Sequence, residues 1–288
     1  MASRDRALES NVPGDFFVDS SCIDCDTCRW LAPATFDRAG EHSRVHRQPG
    51  DDAERFAAEL ALVACPTGSI GVRSRHDLAA ASAAFPRVVE DEVHHLGFHD
   101  EASFGAASYL IVRPDAPGGN VMVDVPRWND GLARRIVELG GARTLFLTHV
   151  DDVGASARWA AFLGATRVMH ERDAVAGVER VLEGVEPIEL EPGLVVVPTP
   201  GHTAGSACLV WRSKFLFSGD HVAFSRSRGH VYAFRDACWF DWRVQIESME
   251  RLAHFDFEWI LPGHGTRCRF TRDEMQQQLR RCIEWMRT

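Results

Sequence analysis

The chain has 288 residues, of which 45% are hydrophobic, so it can bury a large core, and its length predicts about two domains. The formal net charge is −9, from 41 acidic and 32 basic residues, which argues against a general nucleic-acid binder, because such a protein would carry a basic surface. No apolar stretch approaches the ~20 residues that a membrane helix needs, so we expect no membrane partner.

The first predicted element is a loop rich in cysteine. Cys22, Cys25 and Cys28 follow one another with two residues between neighbours, and Cys65 comes later in the chain, directly before Pro66. Such a run wraps three thiolates around an iron–sulfur cluster, and a distant fourth cysteine closes the cage. The pattern resembles that of [4Fe–4S] ferredoxins. Because there is a single triple, the resemblance implies one [4Fe–4S] cluster held by all four cysteines.

Zinc and disulfides are two weaker interpretations of these cysteines. Structural zinc sites prefer two separated pairs of cysteines, which the triple does not match. The N-terminal sequence MASRDR is charged and lacks the apolar segment of an export signal, so we expect a cytoplasmic chain with reduced thiols. The other cysteines are scattered singly and are expected to be ordinary buried or half-buried residues: Cys208, Cys238, Cys268 and Cys282.

A polar, alanine-rich stretch at 73–86 predicts a linker with at most a helical turn. We therefore expect a ferredoxin-like α+β domain at 1–78 and a second domain at 79–288. Beyond the linker, short β-rich runs interleave with stretches of helical periodicity. Strands are expected at 108–112, 120–125, 144–147, 195–197, 216–217 and 259–261, and helices around 132–139, 159–163 and 246–255.

Four short motifs each end an apolar run and place a histidine or an aspartate in a loop. They are LTHVDD at 147–152, TPGHTAGS at 199–206, FSGDH at 217–221 and LPGHG at 261–265. Their order and spacing resemble the metallo-β-lactamase superfamily over residues 90–270. The resemblance implies an αββα sandwich with one or two metals at the sheet edge, held by His149, His202, Asp220 and His264. Such a metal lowers the pKa of bound water and supplies hydroxide at neutral pH.

The first motif departs from the family pattern His-x-His-x-Asp-His. Asp151 replaces the second histidine, and Val153 and Gly154 stand where the family has its aspartate and final histidine. By this resemblance, one metal site can survive as His149, Asp151, His202 and Asp220. The second site keeps only Asp220 and His264, unless Asp152 shifts into it, so we expect one strong site.

Asp152 is also the remaining candidate for a catalytic carboxylate in this motif. A carboxylate at the second ligand position moves the metal preference from zinc towards iron or manganese, because oxygen ligands suit harder ions. The expected metals are therefore one or two divalent ions of zinc, iron or manganese.

Four further histidines are candidates for supporting the metal ligands or for lining a pocket: His95, His99, His170 and His221. His95 and His99 precede the first expected strand pair, in a region that can hang over the metal in the family fold. His221 follows Asp220 and can orient it. His170 ends a strand-like run. A purely structural role is the alternative for each of them.

Three functions stay open at this stage. The first is a metal-dependent hydrolase that acts on an unidentified small molecule and carries the cluster as an appendage. The second is a redox enzyme, in which the cluster passes electrons from a reductase partner to a non-haem iron at the metal site. The third is a non-catalytic sensor or electron carrier. The number of family residues that are retained favours the hydrolase.

Overall fold

The structure, a computed structural model, describes residues 2–288. Its N-terminal module consists of two small antiparallel sheets and two helices. Strands β1 (Phe16–Val18), β2 (Phe36–Ala39), β3 (His42–Val45) and β4 (Ile70–Val72) are joined by helices α1 (Thr27–Leu31) and α2 (Asp52–Ala64). β1 pairs with β4 and β2 pairs with β3. A short helix, α3 (Ala79–Ala83), lies within the expected linker.

The larger part of the chain contains a seven-stranded mixed sheet. Its strands are β5 (Arg87–Glu90), β6 (Val93–His95), β7 (Tyr109–Ile111), β8 (Val121–Val123), β9 (Thr144–Phe146), β10 (Thr166–His170) and β11 (Arg180–Leu182). They lie in the spatial order β11-β10-β9-β8-β7-β6-β5, with parallel pairing from β8 to β11. Helices α4 (Asp130–Glu138) and α5 (Ser156–Leu163) connect the parallel strands.

A second sheet has six strands: β12 (Ile188–Glu191), β13 (Leu194–Pro198), β14 (Ala207–Trp211), β15 (Phe215–Gly219), β18 (Trp259–Pro262) and β19 (Cys268–Arg269). They lie in the spatial order β12-β13-β14-β15-β18-β19. A hairpin of β16 (Ala223–Ser225) and β17 (His230–Tyr232) and two helices, α6 (Trp242–Leu252) and α7 (Arg272–Met286), complete this half.

The two sheets pack face to face, and helices cover both outer faces. Phe146 and Val168 of the first sheet meet Leu209 and Phe217 of the second in one buried cluster. The outer face of the first sheet packs under α4 and α5, and that of the second under α6 and α7. These layers form an αββα sandwich, which confirms the predicted fold class, and the expected strands and helices of the second domain are all present with slightly different ends.

Helix α2 contributes to the cores of both modules. Ala58 and Ala61 lie in the hydrophobic cluster of the N-terminal module. Leu60 and Val63, on the other side of the helix, lie in the cluster beneath the outer helices of the sandwich. This division follows the helical period, because residues three apart share a face and their neighbours point elsewhere. The N-terminal module is therefore packed on the sandwich through one of its own helices.

Four helices begin at residues whose side chains accept a hydrogen bond from the first turn: Asp51, Asn129, Asp241 and Thr271. Such caps satisfy backbone N–H groups that have no partner within the helix. Among the described residues, none of the helices combines the length and the apolarity needed to cross a membrane.

Candidate metal centre and iron–sulfur site

The four cysteines of the N-terminal motif line one small cavity. Cys22 and Cys25 reach it from the loop before α1, Cys28 from the first turn of α1, and Cys65 from the end of α2. All four are free thiols. Asp24 and Asp26 between them adopt positive φ angles of 60° and 69°, and salt bridges to Arg29 hold both carboxylates. This left-handed backbone curls the loop around the cavity.

The chemistry of the cavity fits an iron–sulfur cluster. Burial raises the pKa of Cys25 to about 11 and that of Cys28 well above its usual value. Thiolates therefore form here only when a bound cationic group offsets the loss of hydration. Iron supplies that compensation, because it binds the deprotonated sulfur.

The second site gathers the loops that follow β9, β13, β15 and β18. His149 Nε2 and His202 Nε2 lie 3.7 and 3.8 Å from Asp220 Oδ2. Asp151 Oδ2 lies 3.3 Å from His202 Nε2. Two imidazoles and two carboxylates thus lie close together, and this combination is a donor set for zinc, iron or manganese.

Hydrogen bonds fix which nitrogen of each imidazole faces this space. His149 Nδ1 donates to Thr148 Oγ1 at 2.9 Å, and His202 Nδ1 donates to the carbonyl of Ala237. Both Nε2 atoms are buried without a hydrogen-bond partner. Burial lowers the pKa of His149 to about 4, so its ring is neutral at physiological pH. An anchored Nδ1–H and a free Nε2 lone pair are typical of metal-binding histidines.

A short 3-10 turn at Val150–Asp152 gives the two aspartates of the first motif different surroundings. Asp151 is half exposed and faces His202, whereas Asp152 is buried and its Oδ2 lies 3.9 Å from His149 Nδ1. A Cβ atom added at Gly263 would lie 3.0 Å from both Asp152 and Asp220, so the glycine leaves room for these two carboxylates.

Both oxygens of Asp152 lack a hydrogen-bond partner, and burial raises the pKa of this carboxyl well above its usual value. A buried polar group without a partner costs free energy. A cation in the site would offset that cost, so the orphaned oxygens and the two free Nε2 atoms fit a bound metal. The residues form two overlapping groups with metal-binding geometry, His149–Asp151–His202 and His149–Asp152–Asp220.

His264 lies next to these groups but contacts Asp220 directly. Its Nδ1 is 2.8 Å from Asp220 Oδ1, and its Nε2 donates to the carbonyl of Phe104 at 3.2 Å. Burial alone would lower the pKa of His264, but the Asp220 carboxylate raises it above its usual value. His264 thus holds Asp220 in place, and its role as a metal ligand stays a prediction.

The other candidate histidines lie in different surroundings. His95 and His99 lie in the contact between the two modules, where their Nε2 atoms are 2.9 Å apart and Trp30 packs against both rings. His170 Nε2 donates to the carbonyl of Gly184 and so stabilises a loop. His221 is buried next to Asp220 in the chain, both its ring nitrogens lack partners, and burial lowers its pKa to about 3.

Two residues near the site, Asp124 and Asp173, were not predicted from the sequence. Asp124 follows β8 and accepts a hydrogen bond from the Thr148 hydroxyl group. Asp173 accepts hydrogen bonds from the backbone N–H of Val150 and of Gly205, and so ties the first motif to the second. Each is a single aspartate after a strand, and no local pattern separates it from an ordinary loop aspartate.

Comparisons with known proteins agree with this architecture. The model of the 4Fe-4S single cluster domain of ferredoxin I matches residues 18–72, and that of the metallo-β-lactamase superfamily matches residues 103–264. No curated protein matches the sequence.

Solved structures with similar folds include ETHE1 from Myxococcus xanthus, with 21% identity, a TM-score of 0.50, and coverage of 68% of this chain and 90% of that one. The DIM-1 metallo-β-lactamase has 16% identity, a TM-score of 0.52, and coverage of 69% and 95%. The BLEG-1 B3 metallo-β-lactamase has 16% identity, a TM-score of 0.50, and coverage of 68% and 100%. At these identities the likeness concerns the fold alone.

The superfamily match spans more than half of the chain and includes all four histidine and aspartate motifs. The cluster-domain match includes all four cysteines that line the small cavity. From these two matches and the His/Asp groups it follows that the cofactors are a [4Fe–4S] cluster and one or two divalent metals such as zinc or iron. The chain therefore belongs to the metallo-β-lactamase superfamily and carries an N-terminal [4Fe–4S] ferredoxin domain.

Proposed function

We propose that the protein is a hydrolase of a small molecule, in which a metal held by His149, Asp151, His202 and Asp220 activates water. The bound metal would lower the pKa of a water ligand and so supply hydroxide at neutral pH. The observation that carries the proposal is the position of Asp152, a buried carboxylate with both oxygens unpartnered, directly beside this set of ligands.

Asp152 is proposed as the catalytic carboxylate, which orients the attacking water and accepts its proton. Burial raises the pKa of this carboxyl above its usual value, which strengthens it as a base relative to an exposed aspartate. Thr148 and the Ala237 carbonyl hold the two imidazoles in the orientation that leaves Nε2 for the metal. Asp151, the half-exposed member of the set, lies at the mouth of the site.

Exposed aromatic side chains flank the same mouth and support a substrate with an apolar part. Trp239 is 67% exposed, and its ring lies 6.2 Å from that of His202. Phe104 is 55% exposed, and its ring lies 6.0 Å from that of His264. Exposed aromatics of this size beside a polar site are suited to binding an apolar group of a ligand.

The test is a hydrolysis screen with metal-loaded protein on esters, thioesters, lactones and phosphodiesters. We expect cleavage of at least one class, and we expect Asp152→Asn to lower kcat by about 100-fold or more with the metal content unchanged. Asp115→Asn, at an exposed loop position, is the matched control and should leave kcat unchanged. The proposal is wrong if nothing is cleaved, or if Asp152→Asn turns over like the wild type.

A redox enzyme is the second candidate. Two imidazoles and one carboxylate with open positions are the donor set of many non-haem iron enzymes, and His149, His202 and Asp220 supply it here. A metal count on anaerobically purified protein distinguishes the two candidates. Iron in the second site favours redox chemistry, whereas a full complement of zinc excludes it, because zinc has no redox chemistry.

A further inference from the structure

We propose that the backbone of Phe104 and Gly105, together with His264, conducts single electrons between the iron–sulfur cluster and an iron ion at the candidate metal centre. The inference rests on the metal site proposed above, with iron as its occupant. It assigns a function to a contact between the two modules that neither the cluster motif nor the metal motifs require.

The first step of this route is a direct contact between Gly105 and the cluster ligand Cys25. A Cβ atom added at Gly105 would lie 2.9 Å from Cys25 Sγ and 3.0 Å from Pro66 Cγ. The φ of Gly105 is +88°, a conformation that favours glycine. The backbone of the sandwich therefore packs directly on a cysteine of the cluster cavity, with no side chain between them.

Hydrogen bonds hold this segment against the N-terminal module. The carbonyl of Gly105 accepts hydrogen bonds from Thr27 Oγ1 at 3.3 Å and from His99 Nδ1 at 2.6 Å. The backbone N–H of His99 donates to the carbonyl of Ala64, next to the fourth cysteine. The Arg127 guanidinium donates to the carbonyls of both Cys65 and His99. The contact with Cys25 is thus a fixed part of the fold.

The second half of the route leads from the same segment to the metal centre. The carbonyl of Phe104, joined to Gly105 by a peptide bond, accepts a hydrogen bond from His264 Nε2 at 3.2 Å. The other ring nitrogen of His264 lies 2.8 Å from Asp220 Oδ1, and Asp220 belongs to the proposed ligand set. Ala107 donates from its backbone N–H to the carbonyl of Gly263 at 2.7 Å and keeps the two loops together.

From Cys25 to Asp220, the route therefore contains three non-covalent steps joined by covalent bonds. In the proposed transfer, one electron leaves the reduced cluster, which passes from [4Fe–4S]⁺ to [4Fe–4S]²⁺, and reduces Fe³⁺ to Fe²⁺. No bond is formed or broken, and no proton moves. A one-electron donor such as a reduced flavoprotein would reduce the cluster again.

The test uses the full chain with its cluster and with ferric iron in the second site. A photochemical pulse reduces the cluster, and freeze-quenched samples are followed by EPR for the reduced cluster and for high-spin ferric iron. We expect both signals to decay together, at a rate that does not depend on protein concentration. In zinc-loaded protein, the signal of the reduced cluster should persist.

Two variants test the route itself. His264→Leu removes the hydrogen bonds to Asp220 and to the carbonyl of Phe104. It should slow the transfer by about tenfold or more, because the electron must then cross two longer distances without a hydrogen bond. Gly105→Ala, which pushes on Cys25, should also slow it, even if the His264 variant fails to retain iron. Glu101→Gln, at an exposed position of the same segment, leaves these contacts in place and is the control, with an unchanged rate expected.

The outcomes separate this proposal from the metal assignment. If the wild-type protein takes up no iron in the second site, both the electron route and the assignment of iron to this ligand set are wrong. Full iron content without transfer, a rate proportional to protein concentration, or unchanged rates in both variants would overturn the route alone. None of these three results would affect the hydrolysis screen.

Discussion

The hydroxyl group of Thr148 donates a hydrogen bond to the buried carboxylate of Asp124, 3.0 Å away. The same hydroxyl oxygen accepts a hydrogen bond from His149 Nδ1. Asp124 and Thr148 follow the neighbouring parallel strands β8 and β9, so the sheet itself sets their distance. The two hydrogen bonds that link His149, Thr148 and Asp124 determine that His149 presents Nε2, and not Nδ1, to the metal centre.

We therefore predict that Thr148→Val weakens metal binding, because the His149 ring loses the acceptor that fixes its orientation. Loss of such a partner lowers metal affinity by about 10–100-fold. Affinity is measured by competition with a chelator of known affinity. Thr148→Ser keeps the hydroxyl group and should bind metal like the wild type, and equal affinity of the valine variant would refute the role assigned to Thr148.

The cluster prediction is tested by exchanging one cysteine at a time. Cys25→Ser should abolish or strongly reduce the visible absorption and the acid-labile sulfide of the purified protein, because serine is a poor cluster ligand. Cys268→Ser, in the edge strand β19, is the control and should retain both. If the Cys25→Ser protein keeps its full sulfide content, Cys25 is not a ligand of the cluster.

Arg127 is predicted to stabilise the contact between the two modules. Its guanidinium donates to the carbonyls of Val63, Cys65 and His99, at the end of α2 and in the segment that follows β6. We expect Arg127→Met to lower the free energy of unfolding by about 2–3 kcal/mol, because these bonds involve a charged donor. Denaturant unfolding under anaerobic conditions measures the change. Arg134→Met, at an exposed position of α4, should change it little, and equal losses in both variants would contradict the prediction.

His76 predicts a pH dependence of stability in the N-terminal module. Its two ring nitrogens each lie 2.7 Å from a carboxylate oxygen, of Asp15 and of Glu59. Burial alone would lower the pKa of His76, but hydrogen bonds to the two carboxylates raise it above its usual value of 6.5. The charged ring therefore stabilises the fold fully below pH 6.5, and this stabilisation is lost as the pH rises through the raised pKa of the folded state.

The measurement is the free energy of unfolding as a function of pH, in wild-type protein and in two variants. His76→Gln should remove the part of the decline that lies above about pH 6.5, whereas His254→Gln, at an exposed position, should leave it unchanged. A decline of the same size in the His76 variant would show that another group titrates in this range.

The sequence was sufficient to predict both modules and to nominate the residues of the candidate site, because the decisive information is local. The spacing of Cys22, Cys25 and Cys28 fixes a cluster loop without reference to the rest of the fold. His149 and His202 each stand directly after a strand, in a loop that can turn them towards one edge of a sheet. Short-range patterns of this kind survive in the sequence and can be recognised there.

The rest depends on contacts between distant parts of the chain. Asp151 is half exposed and Asp152 is buried because both lie in one 3-10 turn. The periodicity of the sequence does not predict this turn. The contact of Gly105 with Cys25 requires that the two modules be docked, and a single glycine in a loop does not predict this. For the same reason, the sequence does not predict that His95 and His99 lie in the contact between the modules.

Helix α2 lies in two hydrophobic cores and ends at Cys65, a residue of the cluster cavity. A chain that never receives its cluster would leave this end of the helix without its anchor, and the sandwich would lose part of its outer layer with it. Such chains should be preferred substrates for cellular proteases. The amount of this protein in a cell would then follow the iron supply, independently of any electron that its cluster carries.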